Sequence, residues 1–218
     1  MRGPKAHEVS RDHMLTCKKH TGAIAGHDHV MNVSAQLARN SRLRVRINRK
    51  VDITAADSNK ADSNKQGDVQ AMEFGIPEYD DLVWDVSLVC DRIGSSTQHS
   101  LNGKLQLGDY INAWARSKIN RCRRDYAVNN IAFAPAILSA ADKIHPEFLR
   151  LLWVLADMQT VEFFNLVGDK EDIGNGGFKW SRASTFSYHR NAISLVVAYA
   201  SAIRIYALIC RYMAPLTP

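Results

Sequence analysis

The sequence predicts an all-α protein, a helical bundle of about five or six helices preceded by a flexible basic N-terminal arm. Three observations lead to this prediction. Residues Ser184 to Met213 have apolar side chains at helical spacing around most of a helix circumference. Residues 109–126 have a single apolar stripe with the same spacing. Prolines precede three further apolar segments, and proline is favoured at the first position of a helix.

The stretch from Ser184 to Met213 is predicted as one long helix. Its apolar residues form two adjoining stripes, so we expect neighbours on more than one side and a place in the middle of the bundle. The remaining stripe is polar and carries Arg190, Arg204 and Arg211, which are separated by multiples of seven residues. We expect this stripe to reach water or an anion.

The other helices are predicted in chain order. Pro77 begins a helix that ends at Gly94, with acidic residues in its first turn. Asp109 caps the helix that runs to about Tyr126. Pro135 begins a short helix and Pro146 another one. The apolar residues 160–167 are either the last helical turn or a buried segment, because periodicity does not separate the two.

Charge divides the chain into two parts. Residues 1–65 contain 13 Lys and Arg against 6 Asp and Glu, whereas the rest contains 15 against 16. The short duplication DSNK at residues 57–60 and 62–65 has no apolar content and is typical of a linker. We therefore predict a basic, polar arm and linker over residues 1–70 and an α-helical domain over residues 71–214.

Alternating residues in the arm predict a basic strand. Arg42, Arg44 and Arg46 alternate with aliphatic residues, so their guanidinium groups share one face of an extended chain. Arg49 and Lys50 follow. Guanidinium groups suit phosphate, and this pattern favours a nucleic-acid contact. The alternative is a solvated edge strand whose arginines prevent aggregation.

Two segments have residue types that could hold a metal ion. The first has the spacing C-x2-H-x6-H-x-H and comprises Cys17, His20, His27 and His29. Solvated histidines are the favoured interpretation, because this order matches no common zinc finger. The second is the acidic loop 168–177, which we interpret as a mobile connection rather than a calcium loop. We predict no cofactor.

The favoured function is a nucleic-acid-binding structural or packaging protein, with RNA as the preferred ligand. The predicted organisation, a flexible basic arm on a helical domain, is broadly similar to that of coat proteins and nucleoproteins of RNA viruses, although no motif supports that analogy. The predicted contacts come from the arm, from the basic surface of the helix 109–126 and from the long helix. They are Arg42, Arg44, Arg46, Arg49, Lys50, Arg116, Arg121, Arg123, Arg124, Arg190 and Arg204. Self-association is also expected.

Two other classes of function stay open. One is a helical protein-interaction module without a nucleic-acid role. The least favoured is a metal-dependent nuclease that uses Glu162, Asp169, Glu171 or Asp172. No common catalytic motif is present, so the chain is not expected to be an enzyme. The longest uncharged apolar run is too short for a membrane span, and no signal peptide is recognisable. We expect a cytoplasmic protein, with the nucleus or a nucleoprotein particle as alternatives.

Overall fold

A computed structural model describes residues 22–47, 67–89, 109–167 and 181–213. These residues form a mixed α/β fold. The helices are α1 (Gly22–Asn40), α2 (Asp109–Ala127), α3 (Pro146–Val167) and α4 (Arg182–Met213). The strands are β1 (Arg44–Ile47), β2 (Val69–Met72), β3 (Asp81–Val89) and β4 (Ile131–Ser139).

The four strands form one sheet in the order β1-β2-β3-β4. β1 pairs antiparallel with β2, and β2 pairs antiparallel with β3. β4 lies parallel to β3 over its full length, and helix α2 makes the crossover between the two strands. The first two pairings need only a reversal of the chain, whereas the parallel pair needs a long connection of this kind.

The all-α prediction is therefore wrong. The segment that begins at Pro77 is strand β3, and the segment around Pro135 is strand β4. Both strands are nine residues long and buried over much of their length, so their apolar residues form runs that do not reveal the strand period. Pro135 is tolerated because β4 is an edge strand of the described sheet.

The flexible-arm prediction is also wrong for residues 22–47, which belong to the fold. Helix α1 packs against α4, and a methyl group added at Gly26 would lie 2.9 Å from the Cβ atom of Ala200. The alternation of arginine and aliphatic residues correctly predicted strand β1. Because β1 pairs with β2, residues on both sides of the predicted division near residue 70 belong to one sheet.

Three predicted helices are confirmed, with extended bounds. Residues 160–167 continue α3 as its last turns. Helix α4 is not the centre of a bundle, however. Its inner side contacts α1 and α3, whereas Leu195 is 73% exposed and Tyr199 is 53% exposed on the opposite side. A sheet takes the place of the helices that we expected around α4.

The core lies on both faces of the sheet. The larger cluster packs the sheet against α1, α3 and α4, and includes Trp84, whose indole N–H donates to Ser34 at 3.1 Å. On the other face, Val83 packs with Cys122, Tyr126 and Phe133 beneath α2. Within the described residues, no helix is long and apolar enough to cross a membrane.

Candidate active site

Strand alternation assigns a set of polar side chains to the sheet face that α2 partly covers. Val45 and Val69 belong to the large core on the opposite face, so their neighbours Arg46 and Gln70 lie on this one. Arg46 and Gln70 are also direct partners across the β1–β2 ladder. Helix α2 packs chiefly against β4, and the described residues place no helix over β1 and β2 on this face.

Two carboxylates face each other on this side of the sheet. Asp68 immediately precedes β2, and extending the register that pairs Val69 with Trp84 by one residue places it opposite Asp85 in the middle of β3. Both side chains are 14% exposed. Like charges placed directly opposite each other on antiparallel strands are destabilising. A pair of this kind therefore needs either compensating cations or a function.

The backbone fixes the position of Asp68. Its Oδ2 atom accepts the backbone N–H of Val86 at 2.6 Å. This bond takes the place of a ladder bond where β2 begins. The preceding residue is Gly67, where an added Cβ would meet Val83 at 2.2 Å and the Tyr126 hydroxyl at 3.3 Å. Close packing on one side and a backbone donor on the other leave Asp68 little freedom.

A cation from helix α2 contacts the second carboxylate. Lys118 Nζ donates to Asp85 Oδ2 at 2.5 Å, and the lysine side chain is only 19% exposed. Burial of a lysine requires a partner, because removing an unpaired ammonium group from water is very costly. Lys118 of α2 therefore places one positive charge beside Asp85 on this face of the sheet.

A histidine from helix α1 contacts the first carboxylate. His27 Nε2 lies 3.2 Å from Asp68 Oδ2, and its Nδ1 lies 3.2 Å from Asp28 Oδ1. The contacts connect α1, the sheet and α2 in the order Asp28, His27, Asp68, Asp85 and Lys118. Groups from three elements thus converge on the carboxylate pair.

These contacts and burial shift the pKa values of His27, Asp68 and Asp85. The hydrogen bond to Asp68 raises the pKa of His27 to about 9. Burial raises the pKa of Asp85 to about 6, although Lys118 opposes the shift. Burial alone would also raise the pKa of Asp68, but the hydrogen bonds from His27 and Asp85 outweigh it and lower the value. Two neighbouring carboxyl groups with pKa values moved in opposite directions are typical of acid–base and metal-binding sites.

The predicted arginines of β1 occupy the same sheet face as the pair. Arg44 and Arg46 are exposed, and Arg44 forms an ion pair with Glu73. Arg42 precedes the strand and contacts Glu162 at 3.3 Å. Arg49 and Lys50 lie outside the described residues.

The predicted cations of the helices are spread over several surfaces. Arg116, Arg121, Arg123 and Arg124 are exposed on α2, the helix that carries Lys118. Arg190 is exposed on α4. Arg204 is only 7% exposed, so our expectation that its stripe reaches water does not hold at this position. We therefore do not propose a ligand contact for Arg204.

The structure describes only part of the two segments whose residue types could hold a metal ion. Cys17, His20 and the acidic loop with Asp169, Glu171 and Asp172 lie outside the described residues. His29 contacts the ring of Tyr199, with 5.0 Å between centroids. Among the described residues, no cluster of three or more His, Cys, Asp and Glu side chains could hold a metal ion by itself.

Asp68, Asp85 and Lys118 were not predicted as site residues. Asp68 follows the linker, and Asp85 lies within the segment that was predicted as the helix beginning at Pro77. The available signal was the single acid within the buried run LVWDVSLV. Charged residues are rarely buried without a partner, so Asp85 needed one wherever the segment was placed.

Comparison of the sequence with protein-family models gives no match, and a search of curated proteins gives no relative at a significant level.

Proposed function

We propose that the protein is a divalent-metal-dependent phosphodiester hydrolase that acts on nucleic acid, with Asp68, Asp85 and Lys118 at its centre. The carboxylate pair carries this proposal. Two acids lie opposite each other on one sheet face, and an ammonium group is in contact with one of them. The arrangement has the charges that phosphoryl transfer needs, since that chemistry depends mainly on positioning and electrostatic stabilisation.

Carboxylate oxygens are the ligands that Mg²⁺ and Mn²⁺ prefer. Mg²⁺ commonly binds through only one or two carboxylates and completes its coordination with water and substrate phosphate. Asp68 and Asp85 fit this mode, and a third protein carboxylate is not required. A bound ion would lower the pKa of its water and neutralise charge on the phosphate. It would also remove the unfavourable contact between the two acids.

The proposed reaction is the hydrolysis of a phosphodiester, in which protein groups stabilise charge and hold Asp68 in place. The oxygen of a water molecule attacks phosphorus, one P–O ester bond breaks, and the leaving oxygen takes a proton while the attacking water loses one. The products are a phosphate monoester and a free hydroxyl group. Lys118 stabilises negative charge that develops on the phosphoryl oxygens. The backbone N–H of Val86 holds Asp68 in place throughout.

The surrounding charges favour a nucleic-acid substrate. Arg46 is exposed on the same face, one strand away from Asp68, and diagonal neighbours in a sheet are about 7–8 Å apart. The exposed arginines of α2 lie on the helix that carries Lys118. Cations on β1 and on α2 suit a polyanion whose phosphates extend beyond the reacting one.

This proposal retains the predicted contact with nucleic acid, but the result of that contact is cleavage instead of packaging. The nuclease alternative had named Glu162 and three acids of the loop 168–177. Glu162 instead pairs with Arg42. Among the described residues, nothing favours a packaging or coat-like role, and that role is not proposed again.

A structural role for the charged network is the second candidate. It is favoured by one observation: each carboxylate has its own basic partner, His27 for Asp68 and Lys118 for Asp85. A network with balanced charge can connect three elements without any chemistry. In that case the protein is an interaction module.

Cleavage assays distinguish the two candidates. Single- and double-stranded DNA and RNA are incubated with the full chain and Mg²⁺ or Mn²⁺, and the products are separated on gels. We expect metal-dependent cleavage that EDTA abolishes. Loss of an outer-shell partner of a metal already costs about 10–100-fold, so Asp68→Asn and Asp85→Asn should each lower kcat/KM by at least about 100-fold.

Asp81→Asn is the matched control. Asp81 lies on the same strand and face as Asp85, about 13 Å away, and accepts a hydrogen bond from Gln70 at 2.6 Å. This variant should cleave like the parent chain. If no nucleic acid is cleaved with either metal, or if all three variants lose activity equally, the hydrolase proposal is wrong.

A further inference from the structure

A groove of about 440 Å³ lies at the end of the sheet to which β4 leads. One wall is the first turn of α2, with Ile111 and Asn112. The floor is the turn between β4 and α3, and Arg190 of α4 lies on the remaining side. Ligand pockets in proteins usually measure about 300–1,000 Å³, so the groove is large enough for one nucleotide.

The side chains of the groove combine two cations with an apolar surface. Lys143 and Arg190 carry the positive charge, and Asp142 is the single acid. Within the described part of the chain, neither cation forms an ion pair. Ile111, Ile144 and Leu149 supply the apolar part. Clefts whose walls carry one dominant sign of charge concentrate ligands of the opposite charge.

Hydrogen bonds hold the floor of the groove in place. The backbone N–H of Ser139 donates to the carbonyl of Lys143 at 2.8 Å. The hydroxyl of Tyr110 donates to Ser139 Oγ at 2.5 Å, and the N–H of Ala141 donates to the same oxygen at 2.9 Å. Asp142 has a φ angle of 65°, a conformation that aspartate tolerates in turns. The turn therefore presents Lys143 from a fixed backbone.

The cation of α4 is also carried by a fixed backbone. The adjacent residue, His189, is buried and connects α4 to α3 through the carbonyl of Leu152 and the side-chain amide of Gln159. Burial lowers the pKa of His189. The contacts of His189 fix this part of α4 beside α3, and Arg190 extends from the same part of the helix.

Helix α2 connects this groove to the carboxylate pair. Ile111 and Lys118 are seven residues apart on α2, which places them on the same side of the helix and about 10 Å apart along its axis. The carboxylate pair and the groove therefore lie at neighbouring positions along the length of α2. Cavity, charge and position all suit the same ligand.

We propose that this groove is a second binding site for nucleic acid, which holds a nucleotide of a single strand that lies beyond the one cleaved. Lys143 and Arg190 bind its phosphate, and the apolar side chains contact its base. Base stacking and phosphate contacts of this kind are the usual means of binding single strands. The inference rests on the proposed hydrolase function, because the strand is held at the carboxylate pair.

The test compares a long single-stranded oligonucleotide with bis(p-nitrophenyl) phosphate, a small phosphodiester that cannot span both sites. The double variant Lys143→Gln/Arg190→Gln should lower the ratio of kcat/KM for the long strand to that for the small ester by about tenfold, equivalent to 1.4 kcal/mol. Binding of the long strand is also measured without metal across a salt series. Loss of this phosphate contact should reduce the slope of log K against log salt by about 0.7.

Arg150→Gln/Arg182→Gln is the matched control. Both arginines are exposed on α3 and α4, like the cations of the groove, but they already pair with Glu147 and Asp157. This variant should keep the parent ratio and slope. Unchanged values in the groove variant overturn the inference even when cleavage is observed. If no ester is cleaved but the salt slope still falls, the groove binds nucleic acid and only the hydrolase proposal fails.

Discussion

At the scale of single residues, His27 is the group whose charge depends most clearly on the fold. Its ring connects α1 to Asp68, and the hydrogen bond to Asp68 raises its pKa from 6.5 to about 9. A basic group with a raised pKa stabilises the folded state fully below its unfolded pKa. This stabilisation is lost as the pH rises through the folded pKa.

His27→Gln tests this dependence. We expect the variant to have a lower free energy of unfolding than the parent chain at pH 6, by on the order of 2 kcal/mol. The difference should shrink between pH 6.5 and pH 9, because the parent histidine loses its charge over this range. Urea unfolding at several pH values measures it. His29→Gln is the control, since His29 contacts a tyrosine ring instead of a carboxylate. A difference that is constant with pH would mean that the charge of His27 contributes nothing.

At the scale of secondary-structure elements, the sequence predicted helices better than strands. Helices α2, α3 and α4 have long periodic patterns that local residues determine. Strand β3 depends on two partners from distant parts of the chain, and its buried run contains no alternation. Helix α1 was missed because its polar, His-rich sequence has little apolar periodicity, although Val30, Ala35 and Ala38 on its inner face are completely buried.

The candidate site shows the same limit. Alternation in β1 was enough to predict a face lined by arginines. The carboxylates on that face could not be predicted, because they meet only after β2 and β3 are paired in register. The sequence alone does not distinguish Lys118 from the other four cations on the surface of this predicted helix. Its contact with Asp85 forms only because α2 packs on this face of the sheet. Sites assembled from neighbouring strands thus depend on tertiary contacts, and the periodicity of apolar residues in the sequence does not predict those contacts.

The contact between α1 and α4 gives a prediction at this scale. A Cβ atom at Gly26 would lie 2.9 Å from that of Ala200, closer than two methyl groups can pack. Gly26→Ala should therefore destabilise the fold by about 1–2 kcal/mol, even though alanine is the better helix former. Thermal unfolding followed by circular dichroism measures this.

Ala200→Gly in the Gly26→Ala background is the matched test of the cause. The second change removes the opposing methyl group and should recover most of the loss, so the double-mutant cycle should give a favourable coupling energy. Additive effects of the two changes would show that the helices do not meet at this point.

At the scale of the whole molecule, the α/β fold brings unlike charges from three elements together at one sheet face. Helix α1 contributes His27, the sheet contributes Asp68 and Asp85, and α2 contributes Lys118. An arrangement selected only for stability would avoid two acids directly opposite each other. The hydrolase proposal therefore implies that the fold loses some stability in order to keep them.

Asp85→Asn tests that implication. The pKa of Asp85 is raised from 3.8 to about 6, so the folded state binds a proton more tightly than the unfolded chain does. The free energy of unfolding of the parent chain should therefore fall as the pH rises from about 4 to 6. Asparagine does not ionise, so the variant should lack this pH dependence, and its stability relative to the parent should increase by on the order of 2 kcal/mol between pH 4.5 and pH 8. Urea unfolding at pH 4.5 and pH 8 measures both chains.

Lys118→Met is the informative companion variant. It removes the cation that compensates Asp85, and an uncompensated buried charge is strongly destabilising. It should therefore lower stability above pH 6, where Asp85 is charged. If both variants are destabilised at pH 8, the ion pair stabilises the fold and the network is structural. If Asp85→Asn is more stable and also inactive, the acid is retained for chemistry at the expense of stability, as is common at active sites.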